Sequence, residues 1–296
     1  MIGLQVPVSA AVAACDRPAG LVRCLDAILA GEALPAEIIV VDQSRDTRVA
    51  DALDAMPGHP VPVRYVRQPR RGLSASRNGA LALASQATVA FTDDDCVPSA
   101  GWIATVHRVL AEDPSIAAVT GRVLPLGDEQ PGTYVVSSRA SSDPRLYQGR
   151  ALPWIVGTGG NFAARREWLA RVHGFDERLG AGSPGRAAED ADLLYRLLRT
   201  GAVIRYEPAS LVYHERQTAA QRMASRQGYG HGIGALCALY MRKGDPYAWV
   251  ILGSYLKALG VGLARALVHR DWFMARQRLR SLGGCASGLR YGLVIR

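Results

Sequence analysis

The first hundred residues alternate short apolar runs with segments whose apolar residues recur every three or four positions. The segments between the runs predict helices over 18–30 and 73–85. Strands that alternate with helices indicate βαβ units and a mostly parallel sheet. The apolar runs predict four strands, near residues 6–14, 36–42, 61–66 and 87–92.

Beyond residue 100 the pattern changes twice. Residues 115–160 are rich in Gly, Pro and Ser, with a strand-like piece at 116–120, and an amphipathic helix is predicted over 187–200. After residue 216 the strand pattern disappears, and the remaining pattern predicts two or three helices, over about 217–242, 246–268 and 271–282.

These elements predict an α/β fold with a Rossmann-like, mostly parallel sheet flanked by helices and a C-terminal helical extension. We expect a catalytic domain over residues 1–220, with a nucleotide-binding half at about 1–97 and an acceptor-binding half at 98–220. A basic, amphipathic helical region is expected over 221–296.

The formal charge of +9 comes from 35 basic and 26 acidic residues. Residues 1–241 are nearly neutral, with 25 basic and 24 acidic groups, whereas residues 242–296 hold 10 basic and 2 acidic groups. The basic balance therefore belongs to the tail, where it indicates an anionic membrane surface as partner and does not argue for nucleic acid.

Cysteine usage and the N-terminus indicate a cellular compartment. The five cysteines are scattered, with no CxxC motif and no zinc-ligand spacing. The first residues lack the basic and apolar regions of a secretory signal. We expect a reducing, cytoplasmic location, peripheral on the inner face of the cell membrane.

Acidic residues follow two predicted strands. Asp42 comes directly after one strand, and the triplet Asp93, Asp94 and Asp95 follows another. Because the carboxyl ends of parallel strands meet at one edge of a sheet, these acids are expected to line a single crevice. Adjacent carboxylates repel one another, so a hard cation such as Mg²⁺ or Mn²⁺ is the natural occupant. The alternative is that the triplet is a solvated turn.

The sequence contains no GxxxxGK[ST] loop and no GxGxxG motif after the first strand, which disfavours Walker-type NTPases and Rossmann dehydrogenases. Arg70, Arg71 and Arg77 lie between the two acidic strand ends, near the start of the helix predicted from residue 73. A diphosphate bound together with a metal ion fits this combination.

Five short motifs occur in one order along residues 6–216, and together they resemble a family 2 glycosyltransferase of the GT-A fold. Each motif is weak alone, and their common order and spacing carry the resemblance. They are Val41-Asp42-Gln43-Ser44-Arg45-Asp46, Gly72-Leu73-Ser74-Ala75-Ser76-Arg77-Asn78, Asp93-Asp94-Asp95, Gly174-Phe175-Asp176-Glu177 and Glu189-Asp190-Ala191-Asp192-Leu193.

The resemblance implies a metal-dependent, inverting transfer of a sugar from a nucleotide-diphosphate sugar, with Asp190 of the ED motif as general base beside Glu189. It implies a DXD motif in which Asp95 and Asp93 bind the metal with His214. Trp154, Gly159, Gly160 and Asn161 would meet the acceptor and the donor sugar. The nucleotide-sugar contacts would come from Ala14, Asp16, Arg17, Asp42, Ser44, Arg77, Asp93 and Asp94.

Chemistry supports these roles independently of the resemblance. Inversion needs a carboxylate that removes the proton of the attacking hydroxyl, and Asp190 or Glu189 is available at a helix start. The alternative is that both are ordinary first-turn acids. The Gln-x-x-Arg-Trp motif of processive members is absent, which favours transfer of a single sugar.

The predicted helix over 246–268 carries an apolar stripe that includes Trp249, Leu256 and Leu263. Lys257 and Arg265 interrupt it, so we expect this helix to lie on a membrane surface and not to span the bilayer. The alternative is that the C-terminal helices pack on the catalytic domain or on a second subunit, as in a homodimer.

The leading functional hypothesis is a transferase of cell-envelope polysaccharide or glycolipid synthesis, whose acceptor is a glycan or a lipid-linked molecule. A second hypothesis keeps the enzyme and gives it a soluble small-molecule acceptor. A third is a non-catalytic nucleotide-sugar-binding module at the membrane, which would have no use for a general base.

Overall fold

The protein is described by a computed structural model that covers residues 4–136 and 138–295. The strands are β1 (Leu4–Ala14), β2 (Ala33–Asp42), β3 (Val63–Arg67), β4 (Thr88–Asp93), β5 (Cys96–Pro98), β6 (Ile116–Pro125), β7 (Thr133–Tyr134), β8 (Arg145–Tyr147), β9 (Phe162–Arg165), β10 (Val203–His214) and β11 (Gln217–Thr218). The helices are α1 (Pro18–Leu29), α2 (Arg48–Asp54), α3 (Leu73–Leu83), α4 (Trp102–Glu112), α5 (Pro153–Val156), α6 (Arg166–Arg171), α7 (Glu189–Arg199), α8 (Ala219–Arg242), α9 (Tyr247–Val268) and α10 (Trp272–Val294).

A mixed, mostly parallel sheet organises the first two thirds of the chain. Its strand order is β3-β2-β1-β4-β9-β6-β10-β5, and β8 pairs with β10. The four strands predicted from the first hundred residues are parallel neighbours, joined through α1 and α3 as the βαβ pattern requires. Strand β9 runs antiparallel to both β4 and β6. The predicted fold class is confirmed.

Alternation along β1 builds a core on both faces of the sheet. Val8 and Val12 point to one face, where they pack in a cluster with α1 and α4. Ala11 points to the other face and packs with Val41 and Phe91 in a second cluster that includes α7. Because successive side chains of a strand alternate between faces, a strand with helices on both sides must be apolar throughout.

The strand register brings the predicted acidic residues to one edge. Ala14 at the end of β1 pairs with Asp42 at the end of β2, and Ala13 pairs with Asp93 at the end of β4. Since β1 lies between β2 and β4, three carboxyl ends meet at this edge. The crevice expected from the sequence is therefore present.

The described residues form two units. The first lies within 1–130, 135–175 and 190–216, and the second within 131–134, 176–189 and 217–295. The predicted single cut near residue 220 missed two short segments of the second unit: β7 pairs with β11, and Leu179 packs against Ala235 and Leu239. The predicted division of the catalytic region near residue 97 stays a prediction.

The last helix is longer than the sequence predicts, because glycines that look like helix breakers are packing positions. We expected the helix to end at residue 282, yet α10 continues to Val294. A side chain at Gly284 would lie 2.3 Å from the carbonyl oxygen of Gln227, and one at Gly288 would lie 1.9 Å from that of His231. These glycines let α10 pack backbone to backbone against α8.

Among the described residues, one helix, α9, is long and apolar enough to cross a membrane. The expectation that Lys257 and Arg265 exclude a span is therefore wrong on length and composition. The two cations leave the 22-residue helix predominantly apolar, and long basic side chains can carry their charge towards a membrane interface.

The helix contact predicts a sharp difference between two glycines of α10. Gly288→Ala should lower the free energy of unfolding by about 1–3 kcal/mol, because a Cβ there overlaps the backbone of α8. The matched control is Gly283→Ala, where a Cβ meets nothing within 4 Å. The control should gain about 0.5–1 kcal/mol of helix propensity. Equal effects in chemical denaturation would contradict the packing account.

Candidate functional site

The end of β4 carries the acidic triplet, and its three carboxylates have different surroundings. Asp93 forms an ion pair of 2.7 Å with Arg77. Asp94 is 8% exposed and accepts a hydrogen bond of 2.8 Å from the Cys15 amide. Burial raises the pKa of Asp94 to about 8, and the charges of Asp95 and Asp93 act in the same direction. Asp95 keeps about a fifth of its side chain exposed, at 22%.

Asp95 and His214 face each other at the ends of two strands. The Nε2 atom of His214 lies 3.5 Å from Oδ1 of Asp95. The other ring nitrogen, Nδ1, lies 2.8 Å from the carbonyl oxygen of Glu215, which can only accept a hydrogen bond. In the neutral ring Nδ1 therefore carries the proton, and the Nε2 lone pair faces the carboxylate.

Two electron-pair donors that face each other fit a divalent cation between them. The buried thiol of Cys96 completes a group whose possible ligand atoms all lie within 4.8 Å of one another. Burial raises the pKa of the Cys96 thiol well above its usual value, so it is a poor ligand for a hard cation. The group does not include Asp93, the third predicted metal ligand, whose oxygen is paired with Arg77.

The predicted nucleotide-binding residues cluster around the ends of β1 and β2. Asp16 accepts a hydrogen bond from the Arg45 amide and pairs with Arg70 at 3.1 Å. Its own amide donates to the hydroxyl of Ser44 at 2.7 Å. Arg17 pairs with Glu215 at 2.7 Å and lies 3.7 Å from Asp95.

Two of the predicted nucleotide contacts, Ala14 and Asp42, accept hydrogen bonds from other groups of the protein. The Ala14 carbonyl accepts from the Gln43 amide. Asp42 is fully buried, and its two oxygens accept from the Ser44 amide and the Tyr65 hydroxyl, each at 2.8 Å. The contact of Asp42 with the nucleobase stays a prediction; in this structure the carboxylate has no exposed surface and holds its neighbours through these two hydrogen bonds.

Arg77 is also placed beneath the site. Its side chain is 2% exposed, and its guanidinium lies 5.4 Å from the ring centre of Phe175. A Cβ added to Gly159 would lie 2.6 Å from Arg77 Nη1. The loop at Gly159 thus covers the guanidinium, which supports both Asp93 and this loop. The direct contact of Arg77 with the nucleotide stays a prediction.

The loop also reaches the predicted general base. The Gly159 amide donates to Oδ2 of Asp190 at 2.8 Å, and the amide of Ala191 donates to Oδ1 at 2.7 Å. Asp190 is half-buried, whereas Glu189 is 7% exposed. Asp190 is therefore the more accessible carboxylate at the start of α7.

The other predicted sugar-contacting residues differ in their surroundings. Gly160 lies against the site, since a Cβ there would be 3.4 Å from Oδ2 of Asp93. Trp154 is half-buried in α5. Asn161 is 1% exposed and bonds only to protein groups, among them Trp102 and Ser210. The contact of Asn161 with a sugar stays a prediction; in this structure its side-chain amide links β6, β10 and α4.

Sequence reasoning missed several residues that shape the site. Cys96 and Glu215 directly follow predicted motifs, so their position along the chain was an available signal. Tyr65 gave no such signal, since its hydroxyl reaches Asp42 from a neighbouring strand. Phe175 lies inside one of the quoted motifs, but its contact with the Arg77 guanidinium joins distant parts of the chain.

Comparison with known proteins agrees with this geometry. Residues 9–172, more than half of the chain, match the family model described as Glycosyl transferase family 2. The chain belongs to glycosyltransferase family 2.

Relatives of this transferase chain include a pre-mycofactocin glycosyltransferase of Mycobacterium tuberculosis, 29% identical over 242 residues that cover 77% of this chain and 48% of the relative. A chondroitin synthase of Escherichia coli is 23% identical over 224 residues, covering 64% of this chain and 32% of the synthase. The chain spans half or less of the length of these relatives.

Solved structures show the same GT-A fold. The mannosyltransferase PcManGT of Pyrobaculum calidifontis, in complex with GDP-Man and Mn²⁺, has a TM-score of 0.63 and 20% identity, covering 96% of this chain and 87% of that chain. S. aureus TarS 1-349 has a TM-score of 0.56 and 14% identity, covering 98% of this chain and 93% of that chain.

The buried position of Arg77 predicts a stability effect that a surface ion pair lacks. Arg77→Met should lower the free energy of unfolding by about 2 kcal/mol, because Asp93 loses a short charged hydrogen bond. The control Arg108→Met breaks an exposed pair with Glu112 and should cost no more than about 0.5 kcal/mol. Urea denaturation compares the two, and an Arg77 effect as small as the control would contradict the buried support.

Proposed function

We propose that this family 2 domain transfers a single sugar from a nucleotide-diphosphate sugar to an acceptor hydroxyl, with inversion at the anomeric carbon. The observation that carries the proposal is a continuous chain of contacts from the base to the acidic triplet. Asp190 binds the Gly159 amide, Gly159 covers Arg77, and Arg77 pairs with Asp93. This chain supports a base and a donor site held at one fixed spacing.

Asp190 acts as general base in this proposal. The two amides that donate to its oxygens fix the orientation of the carboxylate. In that orientation it removes the proton of the acceptor hydroxyl as the oxygen attacks the anomeric carbon from the face opposite the diphosphate. A direct displacement of this kind needs no covalent intermediate on the protein and inverts the configuration.

Asp95 and His214 would hold the divalent ion, with Mn²⁺ favoured over Mg²⁺ because an imidazole nitrogen is a softer ligand than oxygen. The ion, when bound, stabilises the charge that develops on the diphosphate leaving group. Arg17, which lies 3.7 Å from Asp95 and is 39% exposed, adds a cation at the same edge. PcManGT and GalNAc-T7, a neighbour with a TM-score of 0.52, were both solved with Mn²⁺.

Asp16 and Ser44 are the proposed side-chain contacts to the nucleoside, since they lie at the strand ends and Asp16 is one-third exposed. Asp42 and Arg77 position these groups and the triplet. GDP and UDP sugars are the donors to test first, because PcManGT was solved with GDP-Man and GalNAc-T7 with UDP.

Two acceptor classes have support. The synthase relative favours a growing glycan, and with the basic tail this supports a role at the cytoplasmic face of the cell envelope. The pre-mycofactocin glycosyltransferase, named for a single compound, favours a small soluble acceptor.

The second unit offers a surface for membrane attachment. One side of α9 packs through Ile251, Leu252 and Leu259, while Trp249 and Val261 on its other side are 64% and 62% exposed. Apolar side chains flanked by Lys and Arg are typical of helices at an anionic membrane surface. We propose peripheral attachment of α9 and α10 to the inner leaflet.

Asp190→Asn tests the base. Transfer should fall about 10³-fold while donor affinity in Mn²⁺ stays within about threefold, because only proton removal is lost. The control is Asp51→Asn, the same charge change in α2, which should leave both values unaltered. Full transfer by Asp190→Asn would refute the base assignment.

The metal requirement is tested in the same transfer assay. EDTA should abolish transfer by the wild-type chain, and added Mn²⁺ should restore it. Transfer that persists in EDTA would refute the metal requirement.

Membrane attachment is tested by flotation with phosphatidylglycerol vesicles. Replacing Trp249 and Trp272, both exposed by more than 60%, with Gln should weaken binding at least about tenfold through lost apolar burial. Leu146→Gln, an equally exposed apolar residue of β8, is the control and should float like wild type. Binding that resists alkaline extraction would identify a spanning α9, and absence of flotation by wild type would refute attachment.

A further inference from the structure

Three arginines of the second unit share one partly buried cluster. Arg222 and Arg226 lie one turn apart on α8, and Arg278 lies on α10. Burial and the positive charges of Arg226 and Arg278 lower the pKa of Arg222 to about 10. The Arg226 pKa is lowered in the same way, by burial and by Arg278. Each of these positive charges thus disfavours the charged form of its neighbours.

Acidic residues are scarce in the C-terminal region that carries this cluster. In residues 217–296 the acids are Asp245 and Asp271. Asp271 caps α10 through the Met274 amide, and Asp245 accepts from the Tyr247 amide. Within the described ranges, no ion pair joins Arg226 or Arg278 to a carboxylate.

The cluster presents buried donors that lack an acceptor. The Nε atoms of Arg226 and Arg278 and the Nε2 atom of Gln277 are buried with no hydrogen-bond partner. Gln277 is 1% exposed, and its oxygen already accepts from Arg222 Nε at 3.1 Å. Buried donors are nearly always satisfied in proteins, so three at one place call for a ligand that supplies acceptors.

Neighbouring residues shape a space for the guanidinium groups. Arg226 lies over the ring of Tyr229, 5.7 Å from its centre. On α9, a Cβ at Gly262 would lie 2.7 Å from Arg278 Nε, so the glycine leaves room for that side chain. Tyr255 of α9 interacts electrostatically with both Arg226 and Arg278. Three helices thus contribute to one site.

We propose that Arg222, Arg226 and Arg278, with the amide of Gln277, bind a phosphate or diphosphate group. Guanidinium groups match phosphate oxygens in two-pronged hydrogen bonds, and a set composed of donors offers nothing to a cation. The site consists of second-unit residues and does not depend on glycosyl transfer. The group belongs either to a soluble phosphorylated ligand or to a phospholipid headgroup.

Inorganic pyrophosphate is the probe, titrated into the full chain in the presence of EDTA by calorimetry and thermal denaturation. Arg226→Met and Arg278→Met should each bind it at least about tenfold more weakly than wild type. The control is Arg276→Met, an exposed arginine of the same helix, which should bind like wild type. Without pyrophosphate, both cluster variants should melt at or above the wild-type temperature, because an uncompensated buried charge has been removed.

Unchanged pyrophosphate affinity in both cluster variants would overturn the proposal. The proposal would also be overturned if, without pyrophosphate, Arg226→Met and Arg278→Met both melted at a lower temperature than Arg276→Met. The two arginines would then serve the stability of the fold. Flotation with anionic phosphatidylglycerol vesicles, with zwitterionic phosphatidylcholine vesicles as the comparison, identifies the source of the phosphate group. A headgroup is indicated if pyrophosphate displaces the chain from phosphatidylglycerol, and a soluble phosphorylated ligand is indicated if it does not.

Discussion

A buried guanidinium holds the candidate site in one arrangement. Arg77 pairs with Asp93 on one side, lies against Phe175 on another, and is covered by the loop at Gly159. Because the Gly159 amide binds Asp190, the positions of this proposed base and of the acidic triplet both depend on this one side chain. A charge this deeply buried is costly unless it is paired and fixed, and the same contacts that pair it align the residues proposed to act on substrate.

The electrostatics of the crevice follow from the convergence of strand ends. The register of β1, β2 and β4 brings Asp42 and the triplet to one edge, where their charges would repel. The structure relieves this repulsion by different means: Arg77 pairs with Asp93, burial favours the protonated form of Asp94, and Asp95 lies between Arg17 and His214. Asp95 has the longer of the two arginine contacts and faces a histidine lone pair, so it is the carboxylate of the triplet that best fits a cation.

The second unit has the opposite character. Close packing of α8 and α10 through Gly284 and Gly288 brings the arginines of both helices together, while the acids of the C-terminal region serve helix starts. The second unit therefore concentrates positive charge, whereas the first unit concentrates negative charge in its crevice. A cluster of donors and a cluster of acceptors suit different ligands, one anionic and one a metal with its diphosphate.

Sequence alone determined the βαβ order, the acidic strand ends, the basic tail and the motif set, because these depend on local periodicity and on residue type. Tertiary structure decided which of these side chains are buried and which protein groups they bind. Asn161, Asp42 and Arg77 carry the expected motif positions, yet their partners come from distant segments that bury them. The length of α10 was likewise decided by its packing against α8. Gly284 and Gly288 weaken an isolated helix, but here they allow the close contact of the two backbones.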